Sequence, residues 1–219
     1  MQHVDEKIIA MLAEKEEETE SNSVRGRFGS GAIAKRDTGQ DLLKMIMKID
    51  DEFISFEEKS LLDGQLTIAL PKKFAIMPEK LAELKYPNGR RPSLIYSNEA
   101  GSINLSLNHT QSPLEDSDLA DFQSYMAEIL QTAQPGIEWL GKELPIVNGT
   151  PVGTLEFVVP ALDVEVYNLL FFLQLDQRAL LCTFNCTEYE MQDWQPIARG
   201  IMHSLKITGS GRQTGGMEP

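Results

Sequence analysis

Hydrophobic and polar positions follow two rhythms along this chain. Leu155, Phe157 and Val159 alternate with Thr154, Glu156 and Val158. Residues 167–175 and 180–186 continue the same period of two, through Leu169, Phe171 and Leu173 and then Leu180, Cys182 and Phe184. Successive side chains of a strand point to opposite faces, so Gly153 to Cys186 predicts three strands, each hiding one face. Shorter runs predict further strands over 52–56, 65–70, 92–97, 102–109 and 137–147. Asp63-Gly64, Asn98–Gly101 and Asn148-Gly149 supply turn signals, and Asp176-Gln177-Arg178 joins the last two strands. Asp41 to Ile49 fits helix and strand equally well.

The second rhythm is helical. Leu119, Phe122, Met126, Ile129, Leu130 and Ala133 form one apolar stripe, preceded by Ser112, Pro113 and Glu115 as a capping box with proline in the first turn. Met191, Trp194, Ala198, Ile201 and Leu205 form another behind a Thr187–Glu190 box. Pro78 to Leu84 predicts a short helix. Residues 3–20 predict one with Val4, Ile8, Met11 and Leu12 on one side, marginal by itself, so that it docks or frays. The expected organisation is an N-terminal helix (1–20), a flexible Gly-containing linker and lead-in (21–50), an α+β domain (51–208) and a disordered polar tail (209–219).

Sorted by face, the strands are asymmetric. One face collects Leu66, Ile68, Leu70, Leu105, Leu107, Leu155, Phe157, Leu169, Phe171, Leu173, Leu180, Cys182 and Phe184. Burying each such large side chain is worth roughly 1.5–3 kcal/mol, so the helices must cover it. The other face collects Thr67, Asn104, Ser106, Asn108, Glu156, Asn168, Thr183 and Asn185, with Leu170, Phe172 and Leu181 among them. Such a mixed face suits a partner's apolar segment while answering its polar atoms; its alternative is partial closure by the N-terminal segment. Asn104, Glu156, Leu170, Phe172, Thr183 and Asn185 are the expected contact residues, with Leu170 and Phe172 as apolar anchors.

Composition narrows the function. The net charge of −13 repels phosphate backbones, which argues against nucleic acid, and much of it reads as solubility. No apolar run approaches the roughly 20 residues of a membrane span, and residues 1–20 are too acidic for a secretory signal, so a cytoplasmic location is expected. Cys182 and Cys186, four apart on one strand, lie roughly 13 Å apart, beyond disulfide reach. His3, His109 and His203 fall in no zinc-binding spacing, the serines in no G-x-S-x-G context, and Gly29–Arg36 lacks the Gly-Lys-Ser/Thr ending of a phosphate loop. The paired acids Asp116/Asp118 and Glu188/Glu190 suit helix starts. The basic loop Lys85–Arg91 centres on an Asn88-Gly89 turn. Neither catalysis nor a cofactor is indicated.

From Gln65 to Ile207 the pattern resembles the PsbP/DcrB-like superfamily. The resemblance lies in LTIALPKKF (Leu66–Phe74), SINLSLN (Ser102–Asn108) and the closing LLCTFNCTEYEMQDWQPIARGIMHSLKI (Leu180–Ile207). It implies an antiparallel sheet of about six to seven strands flanked by two long helices, with a binding or assembly role and no catalysis. One bacterial branch of that superfamily chaperones secreted effectors by holding apolar segments against the sheet. The expected function is therefore a non-enzymatic protein-binding domain, a secretion-associated adaptor or chaperone. A toxin-neutralising immunity protein and a small-ligand binder are the alternatives. The expected partner is another protein, with a secreted effector and a homodimer both open.

Overall fold

A computed structural model describes residues 6–12, 42–49, 52–87 and 91–208. The expected linker at 21–40, the Gly29–Arg36 stretch, the Asn88-Gly89 turn, the tail at 209–219 and most of the first helix beyond residue 12 lie outside these residues.

A helix over residues 6–12 (α1) opens the described chain. It is followed by β1 (Ile46–Ile49), β2 (Glu52–Leu61), β3 (Leu66–Pro71), β4 (Ala75–Ile76), α2 (Glu79–Lys85), β5 (Leu94–Ser97) and β6 (Asn104–Pro113). Then come α3 (Leu119–Ala133), β7 (Glu138–Glu143), β8 (Ile146–Val147), β9 (Thr150–Pro151) and β10 (Gly153–Pro160). The chain closes with β11 (Glu165–Leu175), β12 (Arg178–Thr187), α4 (Glu188–Ser204) and β13 (Lys206–Ile207).

The class is α+β with antiparallel sheets, but the expected single sheet divides. A seven-stranded sheet runs β4-β5-β6-β12-β11-β10-β7, a four-stranded sheet β1-β2-β3-β13, and β8-β9 form a small ribbon. Alternation marks β2 and β3 as strands without saying which sheet they join. Leu66, Ile68 and Leu70 face the large sheet instead of extending it, in one core with Leu105, Leu107, Phe171, Leu173 and Phe184.

Local chemistry explains most boundaries. Asp176 and Gln177 both hold positive φ, 50° and 63°, the conformation of a two-residue turn matched to strand twist. Asn148 and Gly149 do the same between β8 and β9. The Thr187–Glu190 capping box forms at the start of α4. The Ser112 box does not: β6 pairs as far as Pro113, opposite Arg178, and α3 begins at Leu119 after a 3-10 turn over Asp116–Asp118. Hairpin pairing to β12 claims Ser112 and Pro113 before a helix can. The predicted strand over 137–147 breaks at Leu144-Pro145, giving β7 and β8.

Helix α4 locks the two sheets together. Trp194 stacks between Phe74 and Phe184, at 5.8 and 6.1 Å between ring centroids. At its end Ser204 Oγ donates to the Ile201 carbonyl and accepts the Ala69 amide, at 2.6 and 2.8 Å. Asn148 Nδ2 donates to the carbonyls of His203 and Leu205. Cys182 and Cys186 are free and buried. Desolvation pushes both thiols up, and Glu190 adds to the rise of Cys186, to about 12.

Candidate partner-binding face

Strand register builds rows of side chains across the large sheet, since directly opposed residues share a face. Ser97 pairs with Asn104, Asn104 with Asn185, Asn185 with Asn168, and Asn168 with Phe157. The next row runs Ile95, Ser106, Thr183, Leu170, Leu155. A third runs Asn108, Leu181, Phe172, Gly153. This face is therefore polar beneath β5, β6 and β12 and turns apolar toward β11 and β10.

Three helices cover it. Leu119, Met126, Ile129 and Leu130 of α3 bury the apolar part, in a core with Leu155, Phe157, Leu170 and Phe172. The Phe172 ring meets Phe122 edge-on at 5.1 Å. It also lies across the Gly153 backbone so closely that a Cβ there would fall 2.2 Å from the ring, which only glycine permits. Ala82 and Tyr86 cover Ile95. Over the polar part lies α1, whose Ile8 and Leu12 join the α3 core. Lys7 Nζ donates to the Ala133 carbonyl at 2.9 Å, placing a cation at the negative end of α3.

One acceptor in the polar part of this face has no partner. Asn104 Nδ2 donates to Asn185 Oδ1 at 3.0 Å and to the Gly101 carbonyl at 3.2 Å, while Asn104 Oδ1, fully buried, has no partner. Ser106 Oγ donates to the Thr183 carbonyl at 3.4 Å. Beside it Ile8, Ile9, Pro92, Ser106, Asn108, Leu181 and Thr183 enclose about 10 Å³, room for a single water.

Two expectations change here. The mixed face is not open: Asn104, Leu170, Phe172, Thr183 and Asn185 are all 5% exposed or less, so Leu170 and Phe172 are core residues under α3 rather than surface anchors. Glu156, expected beside them, points to the opposite side. Alternation sets phase within a strand, but the β10–β11 register sets it between strands, and Leu155 lies opposite Leu170 while Glu156 lies opposite Leu169. Leu155, Phe157 and Val159 accordingly belong to the α3 core.

On its own side Glu156 ties α4 to the sheet. Its carboxylate accepts Tyr167 OH at 2.6 Å and Gln195 Nε2 at 2.8 Å, and Arg199 Nη2 and Nε at 2.7 and 3.2 Å. Desolvation, reinforced by the bond to Glu156, pushes the Tyr167 phenol far above its ordinary value. Partial burial of Arg199 works against its charge, but the Glu156 hydrogen bond and attraction outweigh it and raise the guanidinium. With every partner satisfied, this cluster serves as a structural tie. Sequence spacing missed it, although Gln195 and Arg199 stand one helical turn apart, the one signal that could have suggested it.

No protein-family model and no curated protein sequence matches the chain. Among solved structures, the cyanobacterial PsbP (CyanoP) of Synechocystis sp. PCC 6803 superposes with a TM-score of 0.53 at 13% identity, covering 74% of this chain and 97% of its own. The fold is PsbP-like. Weaker likenesses are to PA94 of Pseudomonas aeruginosa, a protein of unknown function (TM-score 0.44, 13% identity, 71% of this chain and 99% of that one). Another is to the immunity protein TplEi of the Pseudomonas aeruginosa T6SS, solved with a peptide (0.38, 9%, 94% and 86%). At such identities the likeness carries the PsbP-like architecture and no activity. Among the described residues no group of three or more His, Cys, Asp or Glu is placed to hold a metal, and no helix is long and apolar enough to cross a membrane.

Proposed function

We propose that this PsbP-like domain is a non-enzymatic protein-binding module, an adaptor or chaperone whose working surface is the polar part of the second face. One observation carries the proposal: a stretch of hydrogen-bonding floor with Ser106, Asn108 and Thr183 is roofed on that side by α1. Ile8 and Leu12 pack α1 against the α3 core and Lys7 ties it to the end of α3, and α1 is the cover that would be exchanged. Lifting it would present Ser106, Asn108, Leu181 and Thr183 beside the apolar wall of α3. A partner's apolar segment fits there, its polar atoms answered by the sheet. No cofactor is needed.

The net charge of −13 supports a second reading, neutralisation of a basic toxin, which differs in being weakened by salt. A photo-crosslinking residue at Asn108, in the full chain inside cells, separates the outcomes. Crosslinks to one apolar stretch of one partner, retained at high salt, support the adaptor. Crosslinks confined to residues 6–12 of the same chain would overturn it.

A further inference from the structure

We propose that α1 is an intramolecular stand-in, and that the partner element it mimics is a cationic-led amphipathic helix: Lys or Arg, then aliphatic residues at the next two positions and three further on. This deepens the proposed function and rests on the same face. The pattern is that of Lys7 to Leu12 in α1, which follow the buried Glu6. Lys7 answers the last carbonyls of α3, Ile8 and Leu12 fill the apolar wall, and Ile9 closes the cavity over Ser106 and Thr183. The cation suits both the negative end of α3 and a chain of net charge −13.

The stand-in fits incompletely. It leaves a water-sized space above Ser106 and Thr183, and on the same face Asn104 Oδ1 is buried without a partner. A helix carrying a hydrogen-bond donor toward that row would fit better than α1 does. Leu42 packs against Gly200 of α4, apart from the contacts that hold α1.

The test uses a synthetic peptide of residues 1–12, titrated by fluorescence anisotropy against three full-length proteins: wild type, Ile8→Asp, and Ile9→Cys/Asn108→Cys oxidised to lock α1 down. With the cis helix released, the Ile8→Asp chain should bind the peptide about tenfold or more tightly than wild type. The locked chain should not bind until reduced, and a Lys7→Glu peptide should bind at least about tenfold more weakly. Equal binding by wild type and Ile8→Asp, or undiminished binding by the locked chain, would overturn the proposal. If Ile8→Asp loses its cooperative melting transition, Ile8→Ala replaces it, with a smaller gain expected in the same direction. Concentration-dependent dimers abolished by the lock would instead assign the groove to a second copy of the chain and also overturn it. Peptide exchange without any partner crosslinked at Asn108 would overturn the proposed function and, with it, the mimicry; a crosslinked partner without peptide exchange would overturn this inference alone.

Discussion

The two faces of the seven-stranded sheet are made by the same strands and are held in different ways. On the first face, Phe171, Leu173, Leu180, Cys182 and Phe184 meet a second sheet and α4. The polar groups at its margin are satisfied: Glu156 accepts four hydrogen bonds, and Ser204 both donates and accepts. On the second face the apolar part is closed by α3, the Ser106–Asn108–Thr183 part lies beneath α1 beside a small pocket, and Asn104 carries an orphaned acceptor. A satisfied interface resists opening, because each broken bond leaves a buried group exposed to a penalty. An unsatisfied one loses less when its cover is replaced. The difference separates the side that holds the fold from the side suited to exchange.

The comparison can be broken most forcefully at Trp194. Trp194→Ala should cost about 3–5 kcal/mol in urea unfolding, because the indole stacks on Phe74, in the connection after β3, and on Phe184 of β12. A loss under about 1 kcal/mol would show that α4 is not the lock between the two sheets.

A smaller effect is expected on the second face at Gly153. Gly153→Ala should destabilise by about 1–3 kcal/mol through overpacking against Phe172, whose ring would lie 2.2 Å from the new Cβ. Adding Phe172→Leu should recover part of that loss, so a double-mutant cycle must show coupling between the two sites. Additive losses would mean that the strands, and not the ring, absorb the strain.

The smallest effect is in the alkaline range. Burial raises the Cys186 thiol to about 12, whereas in the unfolded chain it ionises near 8.5. Stability from this group is complete below the unfolded value and falls as pH rises toward the folded one, because only the unfolded chain then releases the proton. Cys186→Ala should therefore reduce the drop in stability between pH 7.5 and 9.5 by about 1 kcal/mol. An unchanged drop would place the thiol in contact with solvent.

Much of this architecture was readable beforehand, for local reasons. The strands over 153–186 showed in strict alternation, α4 in its stripe and its Thr187–Glu190 box, and the PsbP-like order in the closing segment. The candidate face was readable only in part. Asn104, Leu170, Phe172, Thr183 and Asn185 do share one side of the sheet, because β6, β11 and β12 keep their phase across regular pairing. Glu156 does not, because nothing within β10 records its register against β11. The burial of Leu170 and Phe172 also depended on where α3 came to rest, which the spacing of apolar residues along α3 does not specify.

By itself, the order of residues determined which segments become strands, which become helices and where hairpins turn, since those choices depend on periods of two and 3.6 and on a few φ-permissive positions. Tertiary structure alone decided that β2 and β3 form a second sheet, that Glu156 joins Tyr167, Gln195 and Arg199, and that α1 lies over the Asn108–Thr183 floor. Each of these is a pairing between distant segments, set by register and packing volume, and neither quantity is written in any one stretch of chain.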